Sequence, residues 1–204
     1  MMRRWRQSVT AVTRMVSSWR APAAAVFALL VVGCATPQHS DVADADAFRR
    51  TGRFAATVHD GTDQPEAVQG GFAWQDNRSQ LILDLTNPVG STLARITVTD
   101  DGAVLQHSNG TREVANSPDA LAERVLGSPI PVAGLRDWLR GETGDAPVTK
   151  MNKDDQGRPV DFVQDDWRVA LSRYDDKGPG LLQLTRTEAQ RRIRVRLVVS
   201  KSAS

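Results

Sequence analysis

Apolar side chains recur at every second position over residues 53–107 and again over 159–200. They fall in short runs divided by turn formers, which is the period of strands with one buried face. In the first half the runs are Arg53–His59, Gly70–Gln75, Leu81–Leu85, Leu93–Thr99 and Ala103–His107, the last opened by the Asp101-Gly102 turn. In the second half they are Pro159–Gln164, Trp167–Tyr174, Leu181–Thr187 and Arg191–Ser200. Between the two halves the period changes. Ser117-Pro118 reads as an N-cap followed by Pro at the first helical position, so a helix is expected over Asp119–Leu126, ended by Gly127. Gly134–Arg140 places Leu135, Trp138 and Leu139 on one helical stripe, and a third short helix is expected over Val42–Arg50. Strands, a helical insertion and strands again, without βαβ alternation, predict a mainly β fold: an unclosed antiparallel β-barrel with a short helical lid.

The chain ahead of these elements has a different character. An Arg-rich stretch reaches Arg20, an apolar run follows from Ala21 to Val32, and Gly33 precedes the only cysteine, Cys34. At about 1.5 Å per residue such a run makes a helix too short for a hydrocarbon core of about 30 Å, so it reads as an export signal over residues 1–33. Leu30 or Val31 followed by Val32-Gly33-Cys34 resembles a bacterial lipobox. That resemblance implies cleavage before Cys34, acylation of its sulfur and of the new amino group, and, with Ala35 in place of Asp, sorting to the outer membrane. Residues 34–45 then form a lipidated tether, small and polar in composition, and residues 46–204 a single domain. The charge balance changes with this boundary. The whole chain has 26 basic and 24 acidic residues; without the five arginines of residues 1–33, 21 basic and 24 acidic remain, a net charge of −3. A nucleic-acid partner is therefore not expected.

Candidate chemistry is sparse. His39, His59 and His107 are scattered, and no HExxH motif occurs, so no metal or other cofactor is expected. Asn152–Gly157 has the polarity of a calcium loop but carries Val163 where the bidentate carboxylate belongs. Gly70-Gly71 leads into strand residues and not into a phosphate loop, and Ser91 lacks a nucleophile elbow. With no catalytic constellation, an enzyme is not expected. In the last strand Arg192, Arg194 and Arg196 alternate with Ile193, Val195, Leu197 and Val199. This is expected to be a half-buried strand with a solvated face, its charge balanced by Asp161, Asp165 and Asp166.

Three segments remain. In Leu85–Ser91 the turn formers Asn87, Pro88 and Gly90 surround Val89, which either folds back on its own strands or sits singly exposed without a role, or else is an exposed apolar tip that dips into an acyl layer or touches an apolar ligand. Pro129–Gly141 is an apolar, Pro-braced loop running into the second helix, and Asp166–Tyr174 carries Trp167, Val169 and Leu171 on one face. Asn87-Pro88-Val89-Gly90-Ser91, Pro129-Ile130-Pro131 with Leu135-Arg136-Asp137-Trp138, the lipobox and the final strand together resemble the LolB family of outer-membrane lipoprotein receptors, over most of residues 50–200. The resemblance implies an open barrel whose apolar cavity takes the acyl chains of triacylated lipoproteins from the periplasmic carrier LolA and delivers them to the inner leaflet of the outer membrane. It places the membrane-insertion role on the loop Asn87, Pro88, Val89 and Gly90, with Val standing where the family has Leu. Cavity candidates are Phe54, Phe72, Trp74, Leu83, Ile96, Trp138, Phe162, Trp167 and Leu197, each of which is either cavity wall or plain core. The expected cavity is roomy, at or beyond about 1,000 Å³, and the expected state is a monomer. The competing reading is an anchored lipoprotein that holds a small apolar ligand or scaffolds an envelope complex without transferring anything.

Overall fold

The structure, a computed structural model, describes residues 46–61 and 65–201. Cys34, the export signal and the tether 34–45 lie outside the described residues. The elements are β1 (Phe48–His59), β2 (Glu66–Asp76), β3 (Leu81–Thr86), β4 (Thr92–Thr99), β5 (Gly102–His107), β6 (Arg112–Ala115), α1 (Pro118–Leu126) and α2 (Val132–Trp138). After them come β7 (Val148–Lys153), β8 (Pro159–Gln164), β9 (Trp167–Ser172), β10 (Leu181–Glu188) and β11 (Arg191–Val199).

All the strands join one antiparallel sheet in the order β6-β5-β4-β3-β2-β1-β11-β10-β9-β8-β7. Each half of the chain is a meander, and the first and last strands pair to splice the two halves. β6 and β7 end the sheet without pairing to each other, so the barrel is open as expected. The chain between these edges forms α1 and α2, and α1 packs on β4, β5, β6 and α2. The predicted alternation is kept in the burial pattern of β1, β2, β3, β5, β9 and β11, where Ile193, Val195, Leu197 and Val199 of β11 are buried and the arginines between them exposed, while β10 buries Leu181 and Leu182 in succession. All the inward rows meet in one apolar core. The described residues fall within one contact unit, residues 43–204, which holds that core and is therefore able to fold on its own.

Curvature has a local cause. Gly52, Gly70 and Gly71 sit side by side on β1 and β2, with Gly52 paired to Phe72 and Gly70 to Phe54. A Cβ on Gly52 would collide with the Val198 carbonyl and the Phe72 ring, and one on Gly70 with the Thr86 carbonyl. Only glycine lets the strands close up at this bend.

The structure corrects three expectations. The helix expected over Val42–Arg50 is not one where it is described, because Phe48–Arg50 open β1. Arg50 points inward, 3% exposed, and its Nη1 donates to both carboxylate oxygens of Asp175 at 2.7 and 3.0 Å while Nη2 donates to the Pro179 carbonyl at 2.8 Å. Phe48 lies under the Arg140 guanidinium, 4.0 Å from its ring centre. Two strands, β6 and β7, were not expected. β6 is a four-residue edge with no buried position, and β7 has an irregular register with β8 and carries Lys150 at φ 54°, so neither shows clean alternation. The helices differ less: α1 begins at Pro118 and ends at Gly127, whose φ is 66°, while α2 begins at Val132 and not at Gly134.

Candidate functional site

The inward rows of β1, β2, β3 and β11 converge on an apolar hollow. It is lined by Phe54, Phe72, Trp74, Leu83 and Leu197 of the expected residues, and by Leu85, Ile130, Leu135 and Val195 in addition. The hollow has no polar lining residue. Its volume is about 20 Å³, room for about one water, against an expectation near 1,000 Å³. The physical reason is a plug: Ile130, from the Pro-braced loop, and Leu135, from α2, occupy the space that the sheet encloses. Sequence reasoning put Leu135 on a helical stripe and Ile130 in an apolar loop, but neither inside the barrel. Bracing by Pro129 and Pro131 was the available signal for Ile130, since a rigid loop can hold an apolar side chain in a fixed direction.

The other four expected residues are buried but lie away from this hollow. Ile96 is on β4, the strand against which α1 packs. Trp138 meets Phe162 edge to face, with ring centres 6.2 Å apart, and its indole N–H donates to Gln164 Oε1 at 2.7 Å. Trp167 lines a separate cleft of about 240 Å³ together with Asp119, Ile130 and Pro131.

Polar side chains fasten the plug. Asp76, at the end of β2 and 1% exposed, receives Arg136 Nε at 3.1 Å, Arg136 Nη2 at 2.9 Å, Arg140 Nη2 at 3.1 Å and the Arg78 backbone N–H at 2.8 Å. Burial alone would raise this carboxyl. The donors from Arg136, Arg78 and Arg140 outweigh it, so the group stays below its ordinary value and is ionised at neutral pH. Arg136 and Arg140 belong to α2 and the turn after it, so a single carboxylate on the sheet grips the plug helix twice. Asp119 ties α1 to α2 by accepting the Ala133 N–H at 2.9 Å, and burial holds its carboxyl above the usual range despite that bond.

The β3–β4 loop has the opposite character. Asn87 Oδ1 accepts the N–H groups of Val89 at 3.1 Å and Ser91 at 2.9 Å, the Gly90 N–H donates to the Asn87 carbonyl at 3.0 Å, and Gly90 has φ 91°. These bonds fix the loop internally, and Val89 stands 86% exposed at its tip. This exposure excludes folding back on its own strands.

Arg192, Arg194 and Arg196 face outward as expected, but the expected balance of charge is absent. Asp161 pairs with Arg168, at 3.2 Å, and Asp165 and Asp166 form the β8–β9 turn. The arginines face His59, Thr57 and Ala55 across β1, and Thr187, Thr185 and Gln183 across β10. Among the described residues none of the three arginines has an ion-pair partner.

A family profile described as "Outer membrane lipoprotein LolB" matches residues 46–201, a range that includes every described residue. The chain is 51% identical over 189 residues to the Outer-membrane lipoprotein LolB of Bordetella petrii, covering 91% of this chain and 95% of that protein. It is 52% identical to that of Bordetella pertussis, over 86% and 90% of the two chains, and 37% identical to that of Cupriavidus taiwanensis, over 84% and 90%. An open eleven-stranded barrel with an apolar interior, matched along its length by this profile and these relatives, belongs to the LolB family of outer-membrane lipoproteins.

Proposed function

We propose that the chain is a lipid-anchored receptor of the outer membrane, facing the periplasm, that accepts lipoproteins from the carrier LolA and inserts them into the inner leaflet. In this reading residues 1–33 are removed, Cys34 carries the anchor, residues 34–45 are the tether, and the monomeric domain 46–204 does the work. The observation that carries the reading is the plugged apolar hollow: a wall built entirely of apolar side chains, filled by Ile130 from the Pro-braced loop and Leu135 from a helix held by ion pairs.

Such a plug makes acyl binding an exchange. Moving Ile130 and Leu135 into water costs about 1.5–3 kcal/mol each. Each methylene entering the barrel returns about 0.8 kcal/mol, so about four to eight methylenes offset the loss and a longer chain opens the barrel at a net gain. The polar grip on α2 breaks at the same time, and its donors regain water as they swing outward. No nucleotide enters. Direction comes from graded affinity, weakest in the carrier, greater here and greatest in the bilayer. Val89 serves the last step by entering the acyl layer, where its rigid loop presents it without any ordering cost.

The test separates acceptance from delivery. Val89→Glu should accept labelled lipoprotein from LolA as the parent does, yet insert it into vesicles on the order of ten-fold or more slowly, because a charge replaces the apolar tip. Normal insertion by the variant contradicts the role of Val89, and failure of both proteins to accept label contradicts the receptor reading.

A further inference from the structure

The strand registers bring the uncompensated arginines to the same end of the barrel as Val89. Arg53 pairs with Gly71, and Gly71 with Thr86, so the β3–β4 loop leaves the sheet at the level of Arg53. On the other side of β1, Ala55, Thr57 and His59 pair with Arg196, Arg194 and Arg192, the next levels in the direction in which the loop projects. Arg53 and Arg196 are thus diagonal neighbours on the outer face, and the exposed Val198 lies directly opposite Arg53. A groove of about 480 Å³ joins Arg53 and Gln69 to Asn87, Pro88 and Gly90 of the loop. The result is a line of four exposed arginines, Arg53, Arg196, Arg194 and Arg192, leading from the base of the apolar tip along the outer wall.

Among the described residues the four arginines form no ion pair with their neighbours on the wall. Arg168, two strands away on β9, already occupies Asp161. At about 4.8 Å per strand, the acids of the β8–β9 turn lie about 10 Å or more from β11, a Debye length at ordinary salt. The cross-strand neighbours of the three β11 arginines are Ala55, Thr57, Gln183, Thr185, Thr187 and His59, none of which is an acid. Like charges at successive outward positions repel and earn nothing in folding, so an anion outside the molecule is what they fit.

We propose that Arg53, Arg192, Arg194 and Arg196 form a seat for lipid phosphates, which lays the outer wall of the barrel against the bilayer surface while Val89 enters the acyl layer. The guanidinium fork bonds two phosphate oxygens at once, and a strand spaces successive outward arginines about 6.6 Å apart, so the row meets a sheet of headgroups at several points together. A membrane is favoured over an acidic protein by continuity with the exposed apolar tip, since the Val89 loop and the exposed Val198 both lie at the Arg53 end of the row. The inference rests on the receptor reading only in taking the membrane as the destination.

The experiment uses residues 43–204, without anchor, cargo or carrier, and measures partition onto vesicles of phosphatidylcholine alone or with added phosphatidylglycerol, at low and at high salt. The parent should bind the anionic vesicles more tightly, and high salt should remove the gain. Replacing Arg192, Arg194 and Arg196 by Gln should lower that partition on the order of 100-fold, about five-fold for each arginine, while the corresponding Lys variant keeps most of it. Thermal melting of both should match the parent, since the residues are exposed. Equal partition of the Gln variant and the parent overturns the proposal. If the Gln variant binds vesicles normally but accepts lipoprotein from LolA poorly, the row reads an acidic protein surface and the lipid seat is likewise overturned. A failed transfer with intact, arginine-dependent vesicle binding would strike the receptor reading and leave this one standing.

Discussion

Replacing Asp76 by Asn removes one charge at the point where the sheet grips the plug, without changing the side chain's size. The carboxylate is 1% exposed and accepts two bonds from Arg136, one from Arg140 and one from the Arg78 N–H. Breaking a buried ion pair by removing one partner costs about 3–5 kcal/mol. The Arg136 side chain is 32% exposed and that of Arg140 16%, so both recover part of their hydration, and the lower figure of about 3 kcal/mol is the better guide. Both arginines sit in or just after α2, so the loss should fall mainly on the equilibrium between seated and released plug. About 3 kcal/mol corresponds to on the order of 100-fold more release. Native-state hydrogen exchange reads this directly: the amides of Leu135 and Leu139, which donate to the Pro131 and Leu135 carbonyls, should exchange faster by that factor. Val195 in β11 should change far less. If Leu135 and Leu139 keep the parent's rates, or accelerate only in step with Val195, α2 is part of the global fold and not a separable plug.

The remaining predictions follow from the same geometry. Because the Asp76 carboxyl is depressed in the fold, its contribution is fully present above the unfolded value near pH 3.9 and is lost as pH falls through the folded value; plug release followed by exchange should thus be flat from neutral pH down to about 5 and rise only in acid, and a rise centred near neutrality would contradict the grip described. Gly70→Val should destabilise the domain by about 3 kcal/mol or more by forcing β2 away from the Thr86 carbonyl, measurable by denaturant unfolding, and an unchanged midpoint would remove the close approach from the explanation of the bend. Tyr174, the only tyrosine, donates to the Pro159 carbonyl and is pushed up to about 12, chiefly by burial, with Arg158 opposing; its ultraviolet titration should therefore show no phenolate near pH 10 while the protein is folded.

Much of the architecture was legible because one face of each strand had to be apolar. In β11 the alternation of four aliphatics with three arginines set both strand and face, and Ser117-Pro118 with Gly127 marked both ends of α1. What escaped was decided by contacts distant in sequence. Phe48–Arg50 look helical locally, yet Arg50 is held by Asp175 across the barrel. β6 and β7 are edges, where no second neighbour demands an apolar face. The site was half visible: the exposed tip at Val89 and five walls of the hollow could be named from periodicity and resemblance. The plug could not, because nothing in Ile130 or Leu135 says that they fill the barrel and not a core beneath it. Asp76 escaped for the same reason: as the last residue of a strand it reads as a solvated turn former, and only the fold brings Arg136 and Arg140 to it.

The most direct test of the account is transfer. Residues 43–204 would be mixed, without nucleotide, with LolA holding a radiolabelled lipoprotein, and the two proteins separated to find the label. The account predicts that label moves onto this chain, and moves faster onto Asp76→Asn, whose plug is already loosened. Label remaining wholly on a carrier shown to be competent, with this domain folded, would contradict the account and leave an anchored barrel that transfers nothing.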